Sequence, residues 1–258
     1  MRRVEPRRMA LSTLGTPDRS LADAARLAAD AGCHGLEIRV HGEVHPDMDH
    51  RAARAALADA GVEAACLAGY AKVCAPGPDE PVVAELRALI DLASRLGAPN
   101  LRVFPGGDAP AGPRIAAVLP DLRAAGVRLL VETHDTHPTG TGAVGLVRPF
   151  EDPDRVAVLW DALHPWRHGE TPADTRAALG PYLAYFQVKD AVSATDTTPV
   201  PPGEGAVPLR ECAEALADWA GWVSLEWEKP WYPGLGPVDA PLRAAVEWFQ
   251  QYAHRSSA

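Results

Sequence analysis

Short apolar runs alternate with amphipathic, alanine-rich stretches along the whole chain, and the two periodicities together predict its elements. Strands are expected near residues 9–13, 35–40, 62–70, 100–104, 127–133, 156–161, 183–189 and 222–227. Each run is brief and mostly apolar, as a strand covered on both faces of a parallel sheet must be. Between them, "SLADAARLAADAG", "DHRAARAALADAG", "EPVVAELRALIDLASRLG", "PRIAAVLPDLRAAG" and "PLRECAEALADWAG" carry apolar residues at helical spacing and mostly end in glycine, the usual helix stop. Weaker helices are expected at 143–148, 172–179 and 238–253. Repeated strand–helix units of this kind predict an α/β fold, a (β/α)8 TIM barrel, as a single domain over residues 1–258. A doubly wound open sheet is the competing architecture, but the first strand–helix junction, "LSTLGTPDRS", lacks its GxGxxG phosphate turn.

Polar residues close the later apolar runs. Glu132 follows "VRLLV", Asp161 follows "VAVLW", Gln187 and Lys189 lie in "LAYFQVKD", and Glu226 and Glu228 lie in "WVSLEWE". A carboxylate at a buried strand end is costly unless something compensates it, and a divalent cation is the usual compensation. Strand alternation places Glu132 with His134, Gln187 with Lys189, and Glu226 with Glu228 on common faces. The oxygen donors Glu132, Asp161, Gln187 and Glu226 suit Mg²⁺ or Mn²⁺ better than the sulfur- or imidazole-rich surroundings of zinc. The loops "APGPDEP", "FPGGDAPAGP", "TPVPPGEG" and "WYPGLGP" all follow proposed strands, on the face where barrel enzymes keep their sites.

Charge narrows the partners. Lys plus Arg is 25 against 34 for Asp plus Glu, a net charge of −9, which repels nucleic-acid backbones and anionic membranes. A small molecule is the expected partner, and a homo-oligomer is left open. The cysteines Cys33, Cys66, Cys74 and Cys212 fall singly, form no CxxC pair and read as core residues of a reduced chain. The basic start "MRRVEPRRMALSTLG" lacks the apolar core of a signal peptide, so a cytoplasmic location is expected.

The order Glu132, then "DALH", then a strand ending "QVKD", then "SLEWE" resembles the xylose isomerase-like TIM-barrel family of sugar isomerases and epimerases, across essentially the whole chain. The resemblance implies metal ligands at the ends of strands five to eight: Glu132, Asp161, position 187 and Glu226. It maps the family's D-x-x-H to Asp161 and His164, the histidine facing substrate. The departure is Gln187, where the family reads H-x-K-D. An amide oxygen still binds a hard cation, but without imidazole's donor strength, which shifts preference toward Mg²⁺ or Mn²⁺ over Co²⁺ or Zn²⁺. Glutamine here is also similar to certain dehydroshikimate dehydratases of the superfamily. The implied chemistry is an enediolate formed beside a metal-polarised carbonyl, with Glu132 and Glu226 exchanging a proton on opposite faces. Isomerisation or epimerisation of a polyhydroxy keto compound results, and dehydration results if a hydroxyl leaves from the next carbon. A barrel that only binds a small ligand is the alternative from another class, and an apurinic-site endonuclease ranks last.

The remaining polar residues have competing readings. Glu132 and Asp161 could instead cap a helix or pair with a loop cation, Gln187 could be a satisfied interior amide, and Lys189 could anchor substrate or bridge to Glu228. His134 and His164 are expected to contact substrate, with His137, Arg167 and His168 on the surface. Glu37 and Arg39 in "GLEIRV" and Arg102 in "LRVF" point into the barrel, where mutual ion pairing and substrate contact are equal readings, and Arg102 is counted among the expected substrate contacts. Trp160, Trp166, Trp227 and Trp231 cluster near the proposed mouth, and Trp166 is among the expected substrate contacts.

Overall fold

The computed structural model describes residues 7–253. Its barrel strands are β1 (Arg8–Ser12), β2 (Gly35–Arg39), β3 (Glu63–Lys72), β4 (Asn100–Phe104), β5 (Arg128–Glu132), β6 (Val156–Asp161) and β7 (Leu183–Val188), and β10 (Trp222–Leu225) closes the ring. Every neighbouring pair is parallel, and β10 pairs with both β7 and β1. The intervening β8 (Asp190–Ala191) and β9 (Pro199–Val200) form a small antiparallel hairpin outside the barrel. The architecture is a closed TIM barrel, as the alternation predicts.

The helices lie outside. They are α1 (Leu21–Asp30), α2 (His50–Ala60), α3 (Asp79–Leu96), α4 (Gly112–Ala125), α5 (Gly140–Val147), α6 (Leu163–Arg167), α7 (Pro172–Leu179), α8 (Leu209–Ala215) and α9 (Asp239–Ala253). Ser20 and Asp49 accept backbone N–H groups at the starts of α1 and α2, and Gly61 and Gly97 end α2 and α3 at φ 73° and 77°. Among the described residues, no helix is long and apolar enough to cross a membrane.

Strand alternation divides the apolar residues between two cores. Outward residues such as Leu11, Ile38, Leu101, Val131, Val158 and Phe186 join the helix faces in one large cluster. A smaller cluster inside the barrel contains Ala10, Cys66, Leu130, Leu159, Tyr185 and Trp222. The four cysteines are free and buried, as expected. Because the interior is plugged at this level, the next inward residue of each strand, toward its C-terminal end, looks up into the mouth.

The loop after β7 is tied down by Asp190. Its carboxylate accepts the backbone N–H of Ala191 (2.9 Å), Gly203 (2.8 Å), Gly205 (3.0 Å) and Val207 (3.0 Å). A Cβ on Gly205 would lie 2.2 Å from Asp190 Oδ1, so glycine is required for that close approach.

Candidate active site

The inward positions at the C-terminal ends of β2, β4, β5, β6, β7 and β10 are charged or amide side chains, and they stack in two levels. The deeper level centres on Glu37, which has no solvent exposure. Gln187 Nε2 donates to Glu37 Oε1 (2.9 Å) and Glu226 Oε1 (3.2 Å), linking carboxylates from β2 and from the end of β10. Burial, then the neighbouring Glu226 charge, pushes the Glu37 carboxyl above the usual carboxylate range.

The upper level is an ion network. Arg102 Nε lies 3.1 Å from Glu132 Oε2, and Arg102 Nη1 donates to the Gly69 carbonyl (3.1 Å). The guanidinium sits 4.1 Å from the Phe104 ring centroid. Lys189 Nζ lies 2.8 Å from Asp161 Oδ2, 2.5 Å from Glu226 Oε2 and 3.1 Å from Glu228 Oε1. Burial by itself would lower the Lys189 pKa, but Asp161, Glu226 and Glu228 outweigh it and hold the ammonium well above the usual lysine range. Glu132 is pushed well above the carboxylate range by burial, against the opposing pull of Arg102. Asp161 divides its oxygens: Oδ1 accepts the backbone N–H of Leu163 (2.7 Å) and His164 (3.3 Å), leaving Oδ2 toward the mouth.

These residues fit a divalent cation. Glu132, Asp161 and Glu226 each offer a carboxylate oxygen, all within 4.8 Å of one another. Glu132 Oε2 and Asp161 Oδ2 face cations yet lack hydrogen bonds of proper geometry, and Gln187 Oε1 is buried with no partner. A buried amide oxygen without a partner is costly, and a cation placed beside the three carboxylates would satisfy it. Glu132 also forms a second group with His134 and His164, whose rings meet edge-on at 4.3 Å between centroids. Burial lowers the pKa of both imidazoles, most strongly for His164, so both are neutral at neutral pH.

Above the network opens a cavity of about 280 Å³, lined by Tyr70, Lys72, Arg102, Phe104, Glu132, His134, Glu226, Glu228 and Trp231 among others. That volume suits a small polar ligand. Glu132, Asp161, Gln187, Glu226, His134, His164, Lys189 and Arg102 thus gather at one mouth. Trp166 does not line the cavity: the short turn of α6 rotates it, partly buried, against the outer core. Trp160 is buried against Phe186, and of the clustered tryptophans it is Trp231 that borders the cavity. His137 is partly exposed and His168 exposed. Glu37 and Arg39 do not pair with each other among the described residues, because Glu37 turns to Gln187 while the Arg39 Nε donates to the Tyr70 hydroxyl. The sequence leaves Glu37 between ion pairing and substrate contact, and its partner is instead the Gln187 amide; Tyr70 is the residue of this site that sequence reasoning missed.

The raised pKa of Glu37 has a pH signature. The folded chain keeps that proton to higher pH than the unfolded chain, so its contribution is fully present below about pH 4.3 and is lost as pH rises through the folded value. Glu37→Gln retains an oxygen acceptor for Gln187 and removes the titration. The melting temperature of the metal-free wild type is expected to fall relative to Glu37→Gln as pH rises from 5 to 8, in thermal melts across that range. Parallel curves would show that Glu37 does not hold the proton.

A family model described as xylose isomerase-like TIM barrel matches residues 25–252. No curated protein matches the chain significantly. Among solved structures, the probable 3-DHS dehydratase AsbF from Bacillus anthracis is similar at TM-score 0.75 and 20% identity, over 93% of this chain and 98% of that one. D-allulose 3-epimerase from Methylomonas sp., in complex with D-allulose, gives 0.75 and 20%, over 96% and 98%. The IOLI protein with a binding zinc atom gives 0.78 and 16%, over 97% and 99%. At these identities the likeness concerns the fold.

Proposed function

The chain belongs to the xylose isomerase-like TIM-barrel family, and on that premise we propose that it is a divalent-metal-dependent isomerase or epimerase of a sugar or related polyhydroxy keto compound. The observation that carries this reading is the placement of Glu132 and Glu226 on different strands, both lining one cavity, with carboxylate oxygens gathered beside Asp161. Glu132, Asp161, Gln187 and Glu226 would hold the metal, Mg²⁺ or Mn²⁺ for this oxygen set. When bound there, a divalent cation polarises a carbonyl and makes the neighbouring C–H acidic. Glu132 takes that proton and Glu226 returns one to the other face, or the reverse. Their environments suit exchange, because burial raises the proton affinity of Glu132 while Lys189 and Gln187 hold Glu226 in place. His134, at the cavity wall, and His164, edge-on to it, present neutral imidazoles that orient substrate hydroxyls.

Loss of water is the second reading, supported by Lys189: its ammonium sits beside Glu226 and would stabilise a departing hydroxide. Solvent-deuterium uptake into ketoses and cyclic polyhydroxy ketones separates the two. Metal-dependent deuterium incorporation without loss of water supports the isomerase reading. A conjugated, ultraviolet-absorbing product replaces it with the dehydratase, and absence of either reaction with Mg²⁺, Mn²⁺, Co²⁺ or Zn²⁺ leaves a ligand-binding barrel.

Gln187→His tests the ligand set. Imidazole can give one nitrogen to the metal and keep an N–H toward Glu37, so metal binding is expected to persist or strengthen. Preference should move toward Zn²⁺ and Co²⁺ by on the order of 10-fold. Competitive metal titration reads the shift, and a collapse of binding would give residue 187 a different part.

A further inference from the structure

Arg39 is a buried cation beside the mouth that no carboxylate among the described residues neutralises. It ends β2 with the same inward parity as Glu37, and its backbone N–H is fixed by Thr13 Oγ1 (2.9 Å). The residue is only 9% exposed. Its guanidinium lies between two rings, 5.3 Å from the Tyr70 centroid and 5.2 Å from that of Trp231, and its Nε donates to the Tyr70 hydroxyl. Among the described residues no carboxylate stands within ion-pair distance, and its terminal nitrogens donate to no protein group. Arg102 and Lys189, the other buried cations of the mouth, each face carboxylates.

Arginine cannot shed its charge, and an aromatic sandwich compensates only part of the desolvation. The fork remains open where it matters. Arg39 also lines a small cleft with Thr13, Thr16, His41 and Glu43, and Glu43 there is engaged by the Leu21 backbone N–H instead. Tyr70 and Trp231, the rings that hold Arg39, border the reaction cavity, so the guanidinium lies directly against two side chains of that cavity's wall. Lys72, on the cavity rim, likewise has no ion-pair partner among the described residues. Its stem lies close over Gly106, where a Cβ would come within 2.4 Å of it and φ is +65°.

We propose that the substrate is an acid: a polyhydroxy keto compound carrying a carboxylate, which the Arg39 fork binds in bidentate fashion, with Lys72 adding charge at the rim. This rests on the reading of the mouth as an active site, but it is tested by binding alone. Quinate, gluconate, fructose, allulose and fructose 6-phosphate are titrated calorimetrically into the Mn²⁺-loaded full chain and into Arg39→Gln. The acids are expected to bind the wild type at least 10-fold more tightly than the neutral ketoses, and Arg39→Gln should lose that preference while retaining Mn²⁺ affinity. If Arg39→Gln fails to fold, Lys72→Met is the second variant, expected to weaken the acids several-fold and leave the neutral ketoses unchanged. Equal binding of acids and neutral ketoses, unchanged acid affinity in the variants, or a preference for fructose 6-phosphate over the acids overturns the proposal. Arg39-dependent acid binding without any proton exchange would keep this inference and remove the proposed reaction.

Discussion

Glu132→Gln and Glu226→Gln are each expected to lower metal-dependent solvent-deuterium exchange by about 10³-fold, within the range that general acid–base groups contribute. The expectation follows from what an amide keeps and what it gives up. Glutamine preserves the size of the side chain and one oxygen donor, so the strand end still packs and a cation still finds a ligand there. It cannot accept and return a proton. Stability should change little or rise, because a carboxyl that burial already pushes well above its usual range is replaced by a neutral group at position 132. At 226 the amide must still face the Lys189 ammonium at the place where Oε2 now lies 2.5 Å from Nζ, so a modest loss is expected there. Exchange rates, melting temperature and Mn²⁺ titration on the same preparations separate the roles. Wild-type exchange in either variant would remove the acid–base assignment, and loss of exchange together with Mn²⁺ binding would reduce that residue to a ligand.

The barrel was legible because its strands are covered on both faces, so each is a compact apolar run bounded by turn residues. Asn100–Phe104 and Val156–Asp161 match the expected strands residue for residue, and the others differ at their ends, where β3 runs on to Lys72 and β10 stops at Leu225. The gathering of the candidate ligands was legible for a related reason. Glu132, Asp161, Gln187 and Glu226 each break an apolar run at the point where the barrel interior opens, and a local pattern suffices to see that. Contacts across the barrel left no such trace. The hydrogen bond from Gln187 to Glu37 joins residues 150 positions apart, and only closure of the ring brings β2 and β7 face to face. Trp166 and Trp231 both lie near strand ends in sequence, but the one-turn helix after Asp161 sends Trp166 outward while the loop after Glu228 carries Trp231 over the mouth. Arg39 shows the limit most sharply: pairing with Glu37 and contact with substrate were equal readings of its parity, and side-chain packing removes the first.

Lys189→Met is expected to destabilise the metal-free protein by about 3–5 kcal/mol at neutral pH, the cost typical of removing one partner from a buried ion pair. Lys189 is 4% exposed, and its ammonium is the charge nearest Asp161, Glu226 and Glu228 together. Methionine fills much of the same volume, so the loss is electrostatic: carboxylates crowd together with no cation between them. A rescue follows from that cause. Adding Mn²⁺ should restore stability, because the divalent ion draws on the same Asp161 and Glu226 oxygens as the ammonium. The rise in melting temperature on metal addition is therefore expected to be larger in Lys189→Met than in the wild type, and the variant should bind Mn²⁺ at least as tightly. A deficit that metal leaves untouched would mean that the ammonium and the cation occupy separate places, with Lys189 serving the Glu228 side of the mouth alone.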